Sequence, residues 1–286
     1  MFSIVTATFN VMPFVKRCVG SMRAQAGVDY EHLIQDGGSN DGTREWFETV
    51  EDVDFVSEPD RGMYDALNKG FARARGDIIA WLNADEQYLP GTLARVQDIF
   101  DAHPDADLVS GHALVVDEEG NPLAARRDLP LRARMIAHTF LNRPSCAMFF
   151  RASLRDRSLL RFDPSYKSAG DREMIIRMLE AGVRCVYVDE FLSLFGARDG
   201  NISANRTLSD EEARRIRQQF GFRESCLIQR LWQKRRWAER LVRGHYKPVD
   251  VAYAFALDEK PAVRHVQAKR VPARFDIKQY AHSGRT

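Results

Sequence analysis

Cysteine is scarce in this 286-residue sequence: four residues, Cys18, Cys146, Cys185 and Cys226, with no CxxC pair among them. That excludes a disulfide framework or a thiolate metal site as the organising feature, and reduced thiols are expected. The seven histidines show no HxxxH or HExxH spacing, so a zinc site is unsupported. No apolar run approaches the roughly 18–20 residues of a membrane span. The opening MFSIVTATFN has neither a basic leader nor a small-residue cleavage site, so no secretory signal is expected. GxGxxG and GxxxxGK[ST] are both missing, which argues against a dinucleotide fingerprint and a P-loop. With 18 Gly and 11 Pro, a collagenous or low-complexity chain is excluded too.

What is present suits a globular protein. Apolar residues make up 44% and charged residues 29%, and 17 Phe, 8 Tyr and 4 Trp supply a core. The net charge of +2 conceals an asymmetry. Residues 1–205 carry 23 basic and 31 acidic side chains (23 − 31 = −8), whereas residues 206–286 carry 19 and 9 (19 − 9 = +10). An acidic body at 1–205 and a basic extension at 206–286 are therefore expected, the latter inviting an anionic partner.

The first hundred residues alternate strand and helix patterns. Phe2 to Thr8 reads as a strand, and Phe14, Val15, Cys18, Val19 and Met22 recur at helical spacing. Tyr30 to Gln35 is a second strand, Glu45 to Val50 a helix, and Val53 to Val56 a short strand. Tyr64, Leu67, Phe71 and Ala74 line one face of a helix. The apolar run Asp77 to Leu82 and a helix from Pro90 to Ala102 follow. This order predicts an α/β fold whose mostly parallel central sheet is flanked by helices. Beyond it, Leu108 to Val116 reads as a strand entering a hairpin, Cys146 to Phe150 and Val183 to Val188 as strands, and Glu173 to Leu179 as a helix. Residues 209–243 read as one long basic helical stretch broken near Gly221.

Ligands of open parallel sheets bind beyond the carboxyl ends of the strands. Those ends read Thr6-Ala7-Thr8-Phe9-Asn10, then Asp36 leading into Gly-Gly-Ser-Asn-Asp-Gly, then Asn83-Ala84-Asp85-Glu86. Acidic strand ends suit a divalent cation that in turn holds phosphates.

TATFN, DGGSNDGT, EPDRGMYDALNKG and LNADE, in that order, resemble the family 2 glycosyltransferases of the GT-A fold, over about residues 1–205. EPDRGMYDALNKG looks most like bacterial transferases that build surface polysaccharides or lipid-linked glycans. The resemblance implies an inverting transferase that uses a nucleotide-diphosphate sugar with Mg²⁺ or Mn²⁺. Thr6, Thr8, Phe9, Asp36, Asn83 and Ala84 are then expected around the nucleotide. Asp36 would accept from an imide N–H, which favours UDP- or dTDP-linked donors. Phe9 would stack on the base or else pack in the core. Asp85, with Glu86, would carry the cation, although Asn83 replaces the family's first Asp. Asp65, Asn68, Lys69 and Arg198 would contact sugar or phosphates. Asp171, at the start of a later helix, would be the base that deprotonates the acceptor, with Glu173 as second choice. Asp171 and Ser39 or Asp41 are equally readable as helix caps.

The basic helix leaves two readings open: contact with an anionic membrane surface, at the cytoplasmic face, or an apolar face docked on the body. Nucleic-acid binding is not expected, since no motif accompanies the charge. The rival functions are a nucleotidyltransferase and a non-catalytic membrane-surface protein that keeps the fold.

Overall fold

The computed structural model describes residues 1–12, 14–141, 143–197 and 206–274. Its first part is β1 (Phe2–Thr8), α1 (Phe14–Arg23), β2 (Tyr30–Asp36), α2 (Thr43–Phe47), β3 (Asp54–Ser57), α3 (Met63–Arg73) and β4 (Ile78–Trp81). Next come β5 (Gln87–Tyr88), α4 (Thr92–Ala102), β6 (Leu108–Val116), β7 (Pro122–Arg126), α5 (Ala133–His138), β8 (Met148–Arg151), α6 (Ser153–Asp156), α7 (Gly170–Glu180) and β9 (Cys185–Gly196). The C-terminal part holds α8 (Arg206–Gln219), α9 (Cys226–Val242), β10 (Val249–Ala256) and β11 (Val263–Val271).

The main sheet runs β3-β2-β1-β4-β8-β6-β9-β5, with β7 added to β6. β3, β2, β1 and β4 are parallel neighbours, as the alternating pattern requires. Past β4 the sheet is mixed: β8 runs antiparallel to both β4 and β6, whereas β6 and β9 are parallel.

β1 shows why the sheet lies between two helical layers. Its apolar residues alternate faces. Phe2 and Ile4 pack with Cys18, Met22, Leu93 and Phe100 on one side. Val5 packs with Leu67, Phe71 and Met174 on the other. Helix α3 lies so close that a Cβ at Gly70 would stand 2.3 Å from Val5 Cγ1. In register, Thr8 lies opposite Asp36 and Asp36 opposite Ser57, so the carboxyl ends of these strands share one edge.

The basic extension is not merely appended. Ile216 of α8 is buried in the core cluster that contains Val5 and Met174. Gly221, at φ 67°, separates α8 from α9, where the sequence marked a break. The expectation of a largely helical extension is incomplete, because β10 and β11 form an antiparallel pair. Their Tyr253, Phe255 and Val271 bury against Leu114, Val116 and Leu194. All four cysteines are free, two of them buried. Among the described residues, no helix is long and apolar enough to cross a membrane.

Candidate active site

The loop after β2 is rigid because its polar side chains bond one another. Asp36 is 0% exposed and accepts five hydrogen bonds. Thr8 Oγ1 (3.0 Å) and Ser39 Oγ (2.5 Å) donate to Oδ1. The N–H groups of Gly38 (3.0 Å) and Ser39 (2.9 Å) and Ser57 Oγ (2.7 Å) donate to Oδ2. Burial alone would raise its pKa, but the donors from Ser39, Ser57 and Thr8 outweigh that and hold it below the usual carboxylate range. This moves Asp36 from the expected nucleotide contacts into the scaffold: its acceptor positions are filled. Thr8 is committed to the same network. Thr6 is buried and bonded to His32 Nε2 at 2.9 Å. Neither threonine fits the expected nucleotide role. Asp41 accepts from the N–H groups of Thr43 and Met12, so it anchors the start of α2. Phe9 differs from all of these at 62% exposure, which rules out the core-packing alternative.

Asp65, Asn68 and Lys69 are similarly engaged. Asp65 accepts from the backbone and guanidinium of Arg61. The Asn68 amide makes two 2.9 Å bonds to the backbone of Phe162, so it fastens α3 to the loop before α7 and does not face a donor. Lys69 Nζ lies 2.8 Å from Pro59 O and 3.0 Å from Glu58 Oε1. Arg198 lies outside the described residues.

At the end of β4 two adjacent carboxylates part company. Asp85 is partly exposed and lines a small cleft with Phe14, Arg17, Glu86, Asp117, Gly196 and Phe255. Gly196 is required there, because a Cβ would stand 2.3 Å from Asp85 O. Glu86 is 1% exposed, and its Oε2 accepts from Asn83 N–H at 2.9 Å. Burial, reinforced by the charge of Asp85, pushes its pKa up to about 8. Burial and the bond from Asn83 tie Glu86 into the turn, whereas Asp85 is the more exposed of the two. Ala84 is buried, and the Asn83 backbone closes the turn with Glu86. Asp85 is the carboxylate here that could hold a hard cation whose other ligands come from phosphate and water.

A different group, His112, Asp189 and His245, could offer ligand atoms within 4.8 Å of one another. It is already a bonded network: His112 Nε2 lies 2.7 Å from Asp189 Oδ1 and 3.1 Å from Tyr187 Oη. Burial, then the charge of Arg143, pushes His112 down to about 4. Arg127 and Arg240 likewise hold His245 below its usual value, after burial. These surrounding guanidinium groups disfavour a cation. Arg143 itself is buried, with its donors on the carbonyls of Leu129, Gly111 and Asp128.

Asp171 stands in the first turn of α7, where Arg172 N–H donates to Oδ1 at 2.7 Å. Burial pushes its pKa up to about 6, against that bond and the charges of Arg172 and Arg126. A carboxylate so placed is ionised at neutral pH yet basic enough to accept a proton. It lies at the same sheet edge: Gly170 N–H donates to Tyr64 Oη in the first turn of α3, and Lys167 Nζ to Arg61 O. Glu173 is buried and tied to Arg177 and Gln219, so it is structural.

One supporting residue left no sequence signal. Glu212 of α8 accepts from three successive N–H groups, of Lys167 (2.6 Å), Ser168 (2.9 Å) and Ala169 (2.7 Å), just before Asp171. In sequence it is one acidic residue on a polar helix; only the folded chain brings it there.

A mixed sheet between helical layers, with four parallel strands whose carboxyl ends carry acidic loops, is a GT-A-like fold. The glycosyl transferase family 2 model matches residues 3–159, and the chain belongs to that family. A PGL/p-HBAD biosynthesis glycosyltransferase of Mycobacterium tuberculosis is 35% identical over 121 residues, 40% of this chain and 47% of that protein. The chain thus spans about half the length of such curated relatives. The structure of Staphylococcus aureus TarS 1–349 in complex with UDP-GlcNAc aligns with TM-score 0.58 at 18% identity, over 71% of this chain and 60% of that one. A Pyrobaculum calidifontis mannosyltransferase in complex with GDP-Man and Mn²⁺ aligns with TM-score 0.59 at 21% identity, over 78% and 65%.

Proposed function

We propose that this protein transfers a sugar from a nucleotide-diphosphate donor, UDP- or dTDP-linked, to a hydroxyl of a glycan or lipid-linked acceptor, with inversion at the anomeric carbon. The observation that supports the reading is the place of Asp171 in the first turn of α7, which Gly170 N–H fastens to Tyr64 at the start of α3, with burial pushing its pKa up to about 6. Asp171 takes the acceptor proton as the hydroxyl oxygen attacks, and the bond to the diphosphate breaks on the opposite face. Asp85 would hold Mg²⁺ or Mn²⁺, which when bound neutralises charge on the departing diphosphate. Phe9 offers its exposed ring to the base.

Thermal-shift measurements with nucleotide-diphosphate sugars, with and without Mn²⁺, test this directly. A true donor stabilises the fold as RT ln(1 + [L]/Kd). A metal-dependent shift with a UDP or dTDP sugar is expected, and the absence of any nucleotide response would contradict the reading.

We further propose that α9 meets an anionic membrane surface, where a lipid-linked acceptor would lie. Its inner face is held by ion pairs, Arg132 with Glu239 and Arg236 with Asp128. Its outer face exposes Leu227 (67%), Leu231 (57%) and Leu241 (51%), with Arg230 and Lys234 also exposed. The side of α9 that meets the body joins these ion pairs to Trp232, which stacks on His138. Apolar exposure flanked by cations is the pattern of interfacial helices.

A further inference from the structure

A helix begins with N–H groups that have no partner inside it. At α7 the usual side-chain cap is missing, because the capping position is Ala169. Other elements supply the acceptors. Glu212 of α8 takes the N–H of Ala169 at 2.7 Å, and Tyr64 Oη of α3 takes that of Gly170 at 3.0 Å. The N–H of Arg172 goes to Asp171 Oδ1 at 2.7 Å. Tyr64 is set in place by packing. It is 4% exposed, and its ring stacks on Phe162 with centroids 4.7 Å apart. Two 2.9 Å bonds from Asn68 hold the Phe162 backbone. Against α7, a Cβ at Gly170 would stand 2.6 Å from Tyr64 Cε2. Gly170 is not among the glycines of positive φ, so the tyrosine ring, not the backbone, requires glycine there. Burial, then the charge of Asp171, raises the pKa of the Tyr64 hydroxyl well above 10, so it stays neutral.

We propose that Tyr64 is a positioning residue for Asp171: its neutral hydroxyl fixes the start of α7 and occupies a backbone N–H that would otherwise turn to the carboxylate. This rests on the reading of Asp171 as the base and names the residue that keeps it effective. N–H groups at a helix start favour an ionised carboxylate and so make it a weaker base. Tyr64 withholds part of that effect. Of the charged groups around Asp171, Arg172 on α7 and Arg126 on β7 favour the anion. Glu212 on α8 directs its oxygens to the N–H groups of Lys167, Ser168 and Ala169. On α3, Arg61 and Asp65 pair with each other.

Tyr64→Phe keeps the ring and removes only the hydroxyl. Carbon-13 NMR titration of the Asp171 carboxyl in the full chain, assigned with Asp171→Asn, needs no substrate. In Tyr64→Phe the carboxyl should titrate about one pH unit lower than in the wild type. In the sugar-transfer assay kcat should fall about ten- to hundredfold, the scale of a misplaced group at the reacting atoms. KM for the donor should stay within about twofold. A melting temperature within about 4 °C of the wild type would show that the variant folds. Gly170→Ala should lower kcat in the same way, because its methyl pushes the ring aside. If Asp171→Asn is inactive while Tyr64→Phe leaves the titration or kcat unchanged, the assignment is wrong and the base reading stands. If Asp171→Asn keeps the transfer rate, the base reading fails and the assignment with it.

Discussion

The sheet edge and the C-terminal extension use polar residues in opposite ways. At the edge, most polar side chains close on one another: Asp36 on Thr8, Ser39 and Ser57, and Asn68 on Phe162. Phe9 remains exposed there and Asp85 partly so. In the extension, Arg236 turns inward to pair with Asp128 and Glu239 to pair with Arg132 of the body, while leucines face outward. A rigid rim with a few open groups suits chemistry that needs exact placement. An outward apolar stripe suits adhesion to something broad and soft. Helix α8 joins the two regions, because Glu212 holds the backbone that leads into Asp171.

The sharpest break in that comparison comes from the neighbours Asp85 and Glu86. Asp85→Ala should lower Mn²⁺-dependent turnover at least about 100-fold, the scale seen when a charge-stabilising group is removed. Glu86→Gln should stay within a few-fold in the same rate assay. Equal losses would mean that Glu86 reaches the cation after all. Next in size is Glu212→Ala, which leaves three N–H groups without their acceptor. A loss of roughly 2–4 kcal/mol in urea denaturation is expected, together with slower turnover. Full stability would show that the extension does not brace the edge.

Glu86 also sets a pH dependence. Its folded pKa of about 8 lies above the ordinary 4.5, so the folded state holds an extra proton between those values. Stability from this group is fully present below about 4.5 and is lost as pH rises through 8. Glu86→Gln should flatten that decline, making the variant more stable than wild type at pH 9 in denaturant melts. A parallel decline in both proteins would place the proton elsewhere. The smallest expected change in the fold comes from Leu227→Asp with Leu231→Asp. Stability should hold within about 0.5 kcal/mol, while sedimentation with anionic vesicles is lost. Retained vesicle binding would remove α9 as the contact.

Legibility followed the range of the interactions. β1 to β4 and their helices were readable because burial on both sheet faces imposes local periodicity. Asp85 and Asp171 were readable as candidates because strand ends and helix starts mark the places where ligands bind. The misplaced residues fail for a common reason. Thr6, Thr8, Asp36 and Asn68 are polar in the right segments, but partners from distant segments occupy them. Glu86 carries the same charge in sequence as Asp85, and only burial separates them. β10 and β11 escaped notice because their packing partners, Leu114 and Leu194, lie far back in the chain.

The central claim is that Asp171 removes the acceptor proton, and the pH profile of kcat/KM for sugar transfer tests it most directly. The account predicts an acid limb near pH 6, where Asp171 gains its proton, and a loss of about 10²- to 10⁴-fold in Asp171→Asn with nucleotide affinity unchanged. A variant that keeps both the rate and the limb would contradict it.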